Sequence, residues 1–237
     1  MSLKNKIVLG TMKLIKYFKN TSDLSKFLNY AQNKGIRQFH VSNEYSSYKL
    51  IVQSLKKINT KKFTFIIKLS EPATDQMKFS LKKFNRKLNK YREDLGLKHN
   101  YVIQLVNRYK CNNPEKYLFY EQKTLDTIQS TIVRLKKNKT IKQFYYFPYF
   151  QNTNKIKKRS FIDGITCYRH QNEKKNDAYA KRNNFKIIAM RIFGDKKKLQ
   201  KNNLKKLIMY NLKNKLVEKI IVGLNNKDQL NEFLKRC

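Results

Sequence analysis

The chain has 237 residues, of which 40% are hydrophobic and 13% aromatic, so it can bury a core and is not a disordered tail. Its 54 basic and 16 acidic residues give a net charge of +38, which would attract nucleic acid, anionic lipid or another acidic ligand. The sequence has no apolar run of about 18 residues, no secretory signal, and three scattered cysteines that form neither a metal motif nor a disulfide framework. We therefore expect a globular protein in a reducing cytoplasm.

Two explanations of the charge stay open. The chain is crowded with Lys, Asn, Ile, Phe and Tyr, which an AT-rich genome encodes whatever the protein does. Alternatively, the charge is selected because the protein binds a polyanion. Arginine, which suits bidentate recognition of phosphates and bases, is sparse beside lysine.

Eight apolar runs predict strands. They show little alternation of apolar and polar residues, which is typical of parallel strands that are covered on both faces. In chain order, the runs cover residues 6–11, 37–42, 63–70, 101–107, 141–147, 161–168, 185–193 and 219–224.

Between the strands, apolar residues recur at the spacing of a helix face. The faces cover residues 24–31, 77–95, 125–135 and 204–212, and a closing helix is predicted over 227–235. Thr21 or Ser22 is expected to cap the first helix, and Gly35 to end it. The stretch 151–160 has the weakest helical pattern and is compatible with a loop.

This alternation predicts an α/β protein, a (β/α)8 TIM barrel, over residues 1–237 as a single domain. Short loops and an end at Cys237, directly after the last helix, predict no C-terminal extension. The alternative is an open doubly wound sheet. That fold would favour a glycine-rich turn after the first strand, where the sequence instead has GTMKLIKYFKN.

Chemistry in such barrels lies at the C-terminal ends of the strands. Tyr45 follows the second strand and Lys68 ends the third, so the two side chains could meet. A nearby ammonium stabilises phenolate and lowers a phenol's pKa from about 10, which makes the phenol a better proton donor. The alternative is structural, since the chain has 15 tyrosines and a strand-end lysine often reaches water.

Several segments together resemble the aldo-keto reductases. KIVLGTM is similar to the family's first strand, and AQNKGIRQFHVSNEYSSYKLIVQSLKK follows its pattern of helix, glycine, strand, tyrosine and helix. FTFIIKLS carries the strand-end lysine, and YVIQLVNR, FIDGITCY and FKIIAMRIFG are similar to later strands. IIVGLNNKDQL is the most specific segment. The resemblance covers the whole chain and implies the barrel fold and reduction of an aldehyde or ketone.

The resemblance assigns catalytic roles to four positions. Tyr45 matches the family's general acid, and Lys68 matches the lysine that tunes it. The family's aspartate falls at His40, which cannot supply a negative charge but can make one hydrogen bond. The family's histidine falls at Asn107, whose amide can still donate a hydrogen bond to a carbonyl oxygen.

The resemblance also implies NADP(H) as cofactor. The candidate binding residues lie after the strands: Thr11, Met12, Tyr168, Arg191, Phe193, Gly194, Gly223, Asn225 and Gln229. Of these, Tyr168 would stack beneath the nicotinamide, and the last three would form a phosphate and adenosine site at a helix N-terminus. The family's Ser-Asn pair, which holds the carboxamide, falls at Phe147 and Pro148, and neither side chain can make those hydrogen bonds.

Three functions follow as hypotheses. The first is a cytoplasmic oxidoreductase acting on a small carbonyl substrate, with a divergent active site. The second is a catalytically silent barrel with a binding or regulatory role, and the third is a basic protein that binds an anionic polymer. His99 and His170 suggest no metal site, and Cys167 is expected in the core.

Overall fold

The structure, a computed structural model, describes residues 3–61, 63–71, 79–97, 101–107, 113–148, 158–169, 174–193 and 201–237. The eight parallel strands are β1 (Ile7–Gly10), β2 (Gln38–Val41), β3 (Thr64–Glu71), β4 (Tyr101–Asn107), β5 (Ile141–Pro148), β6 (Gly164–Tyr168), β7 (Lys186–Met190) and β8 (Val217–Val222). They close into a barrel in the order of the sequence, from β1 to β8. The predicted (β/α)8 fold class and all eight predicted strands are confirmed.

Seven α-helices accompany the strands over the described residues. They are α1 (Thr21–Asn33), α2 (Tyr48–Leu55), α3 (Leu81–Asp94), α4 (Pro114–Lys137), α5 (Lys174–Arg182), α6 (Lys201–Lys213) and α7 (Lys227–Lys235). Their apolar faces are buried as the helical spacing requires; Leu24, Leu28, Phe84 and Ile128 have no exposed surface.

The chain divides into two compact units. The first contains Met1–Ile66, Tyr168–Glu173 and Ile187–Cys237, and the second contains Ile67–Cys167 and Lys174–Lys186. Within the first unit, β1 pairs with β2 and β8, and β7 pairs with β8. Within the second, β5 pairs with β4 and β6. That residues 1–237 act as a single domain stays a prediction.

The helix ends correct one detail of the sequence analysis. Neither Thr21 nor Ser22 caps α1, because the cap is Asn20, whose side chain accepts a hydrogen bond from the Asp23 backbone N–H at 2.9 Å. Gly35 follows the helix with a φ of +93°, as expected of a residue past a helix C-terminus. Helix α3 begins at Leu81, and the predicted position at Met77 lies outside the described residues.

The remaining expectations concern membrane-spanning helices, cysteines and histidines. No described helix has the length and apolar character needed to cross a membrane. No disulfide joins Cys167 and Cys237, the two cysteines in the described part of the chain, and Cys167 is buried as expected. Residues 151–157 of the weakest helical pattern, Cys111, His99 and His170 lie outside the described residues.

Candidate active site

The turn after β2 brings two of the predicted catalytic residues together. His40 lies on β2 with 1% of its surface exposed, and Tyr45 is half-buried in the turn that leads to α2. The Tyr45 hydroxyl lies 3.4 Å from His40 Nδ1, at the long end of hydrogen-bond distances. The position that the resemblance assigns to an aspartate thus holds an imidazole beside the candidate acid.

Buried hydroxyl groups hold this turn in place. The Thr11 hydroxyl donates to the His40 carbonyl oxygen at 2.8 Å, and the Ser47 hydroxyl donates to the Thr11 carbonyl oxygen at 2.8 Å. The Tyr45 backbone N–H donates to the Ser42 carbonyl oxygen at 3.0 Å. Thr11, a predicted cofactor-binding residue, has no exposed surface and uses its hydroxyl within the turn. Sequence reasoning missed Ser42 and Ser47, which lie three residues before and two residues after Tyr45.

Lys68 and Asn107 belong to the second unit. Lys68 lies on β3 with 6% of its surface exposed, and its carbonyl oxygen accepts a hydrogen bond from the buried Tyr91 hydroxyl at 3.0 Å. Asn107 is the last residue of β4 and is in register with Pro148 of β5. That Lys68 and Asn107 act on the same substrate as Tyr45 stays a prediction.

The ends of β6 and β7 hold a second group of predicted residues in the first unit. The Arg191 guanidinium carbon lies 4.6 Å from the centroid of the Tyr168 ring, so it covers one face of that ring. Arg191 is exposed and has a φ of +48°, a backbone conformation that costs a non-glycine residue on the order of 1 kcal/mol. Met12 is 51% exposed and Phe193 is half-buried, whereas Gly194 lies outside the described residues.

Arg169 adds a buried cation that the sequence analysis did not single out. It follows β6 with 1% of its surface exposed, and its Nε donates to Asn211 Oδ1 at 2.9 Å. Asn211 Nδ2 donates back to the Arg169 carbonyl oxygen at 3.4 Å. This exchange fixes the backbone next to Tyr168. The signal in the sequence was an arginine directly after an apolar strand.

The turn between β8 and α7 contains the remaining predicted residues. Asn226 caps α7 by accepting from the Gln229 backbone N–H at 2.8 Å, and Gln229 Oε1 accepts from the Asn225 backbone N–H at 2.9 Å. Asn225 Oδ1 is buried and has no hydrogen-bond partner. A Cβ atom added at Gly223 would meet no atom within 4 Å, so there is open space beside that backbone.

The turn between β8 and α7 and the end of β5 show how well these residues would fit a nicotinamide dinucleotide. An orphaned carbonyl oxygen and open space at the N-terminus of a helix suit an adenosine phosphate, since Asn225 can accept from an amino group and backbone N–H groups attract phosphate. At the end of β5, however, Phe147 is 4% exposed and has no polar side-chain atom. The residues present therefore fit the phosphate-bearing end of the group better than the carboxamide.

A second titratable site lies in the second unit. Glu121 of α4 has no exposed surface, its Oε1 accepts from the Tyr146 hydroxyl at 2.7 Å, and its Oε2 has no hydrogen-bond partner. Burial raises the pKa of Glu121 to about 7, against the lowering effect of hydrogen bonds from Tyr117 and Tyr146. Burial and the nearby Glu121 together raise the pKa of Tyr179 to about 12. The sequence carried a signal, because Glu121 lies four residues after Tyr117 and four before Leu125 on one helix face.

Comparisons with known proteins agree with this fold. No protein-family model and no curated protein matches the sequence. Among solved structures, a Pseudomonas aeruginosa protein assigned to the aldo-keto reductases superposes with a TM-score of 0.74 and 14% identity, over 98% of this chain and 89% of that one. An aldo-keto reductase from Bacillus halodurans, in a holo form, gives a TM-score of 0.70 and 11% identity over 98% and 86% of the two chains.

A third structure is an aldo-keto reductase from Klebsiella pneumoniae in complex with NADPH. It gives a TM-score of 0.68 and 9% identity over 98% of this chain and 84% of that one. At such identities the similarity concerns the fold. The resemblance noted in the sequence is thus confirmed at the level of structure: the chain has the (β/α)8 barrel fold of the aldo-keto reductases.

Proposed function

We propose that this chain is a carbonyl oxidoreductase of the aldo-keto reductase type, which uses NADP(H) to reduce a small aldehyde or ketone. The observation that carries the proposal is the half-buried Tyr45 hydroxyl beside His40, in the turn after β2 of a barrel with the aldo-keto reductase fold. Fold alone does not establish a reaction, so the chemistry of the residues decides. The cytoplasmic location also stays a prediction.

Tyr45 acts as the general acid. Its hydroxyl gives its proton to the carbonyl oxygen of the substrate as negative charge develops there, and Tyr45 becomes a phenolate. Because the side chain is only half-buried, a small substrate can approach it. The hydrogen bonds of Thr11, Ser42 and Ser47 fix the turn, so the phenol keeps its position through the reaction.

His40 positions Tyr45 and stabilises the phenolate. In the neutral tautomer with hydrogen on Nδ1, His40 donates to the Tyr45 oxygen and leaves the phenol proton directed at the substrate. This hydrogen bond strengthens as the proton leaves, since the acceptor becomes charged. As a hydrogen-bond donor, His40 would replace part of the role that the aspartate at this position has in the family.

Lys68 and Asn107 are the other two residues to which the resemblance assigns a catalytic role. Lys68 is a buried lysine of the second unit, and the resemblance assigns it the role of stabilising the Tyr45 phenolate. Asn107 would donate a hydrogen bond from its amide to the carbonyl oxygen of the substrate. Both roles rest on their positions on β3 and at the end of β4.

The bound nicotinamide would supply the hydride to the carbonyl carbon. Its adenosine and phosphate groups would be held by the turn of Gly223, Asn225 and Gln229, where an acceptor is orphaned and backbone N–H groups begin α7. Tyr168 would lie beneath the nicotinamide ring. The Arg191 guanidinium, which covers one face of the Tyr168 ring, would hold that ring from the other side. Thr11, Met12, Phe193 and Gly194 remain predicted lining residues.

The apolar end of β5 favours a second candidate function, a silent barrel that binds a ligand without redox chemistry. Phe147 is buried and cannot hold a carboxamide, so nicotinamide is bound with fewer hydrogen bonds than the family uses. A protein that keeps only the phosphate-binding turn could still bind a nucleotide. The two candidates differ in turnover and in their need for nicotinamide.

Thermal shift and tyrosine fluorescence distinguish these functions. We expect NADPH to raise the melting temperature and to quench tyrosine fluorescence. We also expect the absorbance of NADPH to decrease as the cofactor is oxidised in the presence of small aldehydes and ketones. 2′-Phospho-ADP-ribose serves as the matched ligand, since it is NADPH without the nicotinamide. Equal stabilisation by 2′-phospho-ADP-ribose and NADPH, without turnover, would support the silent barrel. No shift with millimolar NADPH or NADH would exclude the reductase.

A further inference from the structure

An open surface cavity with two lysines in its lining lies on the first unit, between the end of α1 and α7. Its volume is about 430 Å³, and its lining residues are Lys34, Asn231, Leu234 and Lys235. We call these four residues the lysine cavity. Volumes of this size are typical of binding sites for small groups. None of the four carries a carboxylate, and both lysines are exposed.

An aromatic ring at its edge gathers further positive charge. The Tyr30 ring has the Lys34 Nζ at 5.5 Å and the Lys227 Nζ at 5.2 Å from its centroid, so the two nitrogens lie within about 11 Å of each other. The Tyr30 hydroxyl donates to Asn231 Oδ1 at 2.7 Å. This bond ties α1 to α7.

Nearby acidic groups offset this charge only in part. Glu232 of α7 pairs with Arg236, with 2.6 Å between oxygen and nitrogen. Asp228 lies in the first turn of α7, where the helix N-terminus attracts a negative charge. The exposed Lys34 and Lys235 therefore line a site without a carboxylate in its lining, and the exposed Lys227 lies against the neighbouring Tyr30 ring.

We propose that the lysine cavity binds the phosphate backbone of nucleic acid. The net charge of +38 adds to the affinity for a polyanion through counterion release, whereas a small anion gains little from it. Lysine ammonium groups contact phosphates as point charges and do not read bases. Binding is therefore independent of base sequence and decreases steeply with salt.

The four lining residues lie at the end of α1 and on α7, whereas the proposed acid lies in the turn after β2. Lys227, however, lies between Asn225 and Gln229 of the proposed phosphate-binding turn, so the test variants leave it unchanged. The charge of the chain could instead bind nucleic acid diffusely, over the whole surface. In that case every exposed lysine contributes equally, and the lysine cavity has no special weight.

A charge-matched pair of variants distinguishes the cavity from diffuse binding. The test variant is Lys34→Gln with Lys235→Gln, and the control is Lys205→Gln with Lys206→Gln, two exposed lysines of α6. Fluorescence anisotropy with a labelled 20-nucleotide single strand is measured from about 0.05 to 0.3 M salt. We expect the test variant to lower the slope of log K against log salt by about 1.4, since each phosphate contact contributes about 0.7. At about 0.1 M salt its affinity should fall roughly 10- to 30-fold.

The control variant should lower the affinity less than about 3-fold, through the change in net charge alone. Equal losses in the two variants would overturn the proposal in favour of diffuse binding. No binding of the unmodified protein to the strand at about 0.05 M salt would also overturn it. If inorganic phosphate displaces the strand at constant ionic strength and binds with equal affinity, the site takes small phosphates and the proposal of a polymer is wrong.

Discussion

Two tyrosines in different parts of the molecule each have an acid–base partner, and their surroundings differ. Tyr45 is half-buried, and its hydroxyl lies 3.4 Å from His40 Nδ1 in the first unit. Tyr146 has no exposed surface, and its hydroxyl donates to Glu121 Oε1 at 2.7 Å in the second unit. The first pair is within reach of a ligand, and the second is sealed within protein.

The difference shows that burial decides whether a tyrosine can take part in a reaction or only stabilises the fold. A half-buried phenol can transfer a proton to a substrate, so its loss should change turnover. A phenol bonded to a buried carboxyl satisfies a polar group that water cannot reach, so its loss should change stability. The comparison therefore predicts that the same substitution, tyrosine to phenylalanine, lowers turnover at Tyr45 and stability at Tyr146.

The largest expected effect is on turnover in Tyr45→Phe. Removing the proposed proton donor should lower kcat by about 100- to 10,000-fold, because general acid catalysis contributes that much. The melting temperature should change little, since the lost hydroxyl is half-buried and its hydrogen bond is long. Steady-state kinetics with NADPH and an accepted aldehyde measure the first effect, and thermal unfolding measures the second. Unchanged turnover would show that Tyr45 is not the acid.

The second prediction concerns pH and Glu121. Its pKa is about 7 in the folded chain and about 4.5 when unfolded, so the folded state binds more protons between these values. The contribution of Glu121 to the free energy of unfolding should therefore be fully present below about pH 4.5 and fall by up to about 3 kcal/mol as pH rises through 7. Urea unfolding at pH 5 and pH 8 measures this fall.

Glu121→Gln provides the comparison, because glutamine keeps the shape of the side chain without a charge. The difference in stability between pH 5 and pH 8 should be smaller in this variant than in the unmodified protein by about 3 kcal/mol at most. If both proteins respond to pH alike, Glu121 is not the group that titrates.

A smaller loss of stability is expected from Tyr146→Phe. The substitution removes the donor to Glu121 Oε1 and leaves a buried carboxyl whose Oε2 already has no partner. We expect a loss of about 1–3 kcal/mol, larger above pH 7 than below it because the carboxylate is then charged. Tyr101→Phe is the matched control. The Tyr101 hydroxyl is buried without a hydrogen-bond partner, so its removal should cost nothing. Equal losses in the two variants would contradict the role of the hydrogen bond.

The strands could be predicted from the sequence because apolar runs bounded by polar turns determine them. Each of the eight runs became a strand, and the alternation with helical faces identified the barrel. The cap of α1 could not be fixed to one residue. Asn20, Thr21 and Ser22 all have side chains that can accept from a helix N-terminus, and only the backbone conformation selects Asn20.

The candidate site could be predicted only in part. The sequence placed Tyr45 after a strand and His40 on it, and the structure brings the two side chains together. It did not reveal that Thr11 uses its hydroxyl to hold the His40 backbone, because a hydroxyl suits a cofactor and a turn equally. Arg169 and Asn211 lie 42 residues apart in sequence, so only the fold could show their bond.

His40 offers the finest test of the first pair, because two amides resemble different parts of its ring. The side-chain nitrogen of asparagine lies near the place of Nδ1, whereas that of glutamine lies near the place of Nε2. If the Nδ1 hydrogen bond to Tyr45 stabilises the phenolate, His40→Asn should keep most of the turnover, and His40→Gln should lower kcat by about 10-fold.

Both substitutions bury an amide in a site where His40 is 1% exposed, so their costs in stability should be alike and are measured by thermal unfolding. The informative quantity is the ratio of their kcat values at equal folded fraction. A KM for NADPH that is the same in both variants would place the effect in the proton step, since a general disturbance of the turn would change binding as well. Equal kcat values would mean that His40 only fills space beside Tyr45.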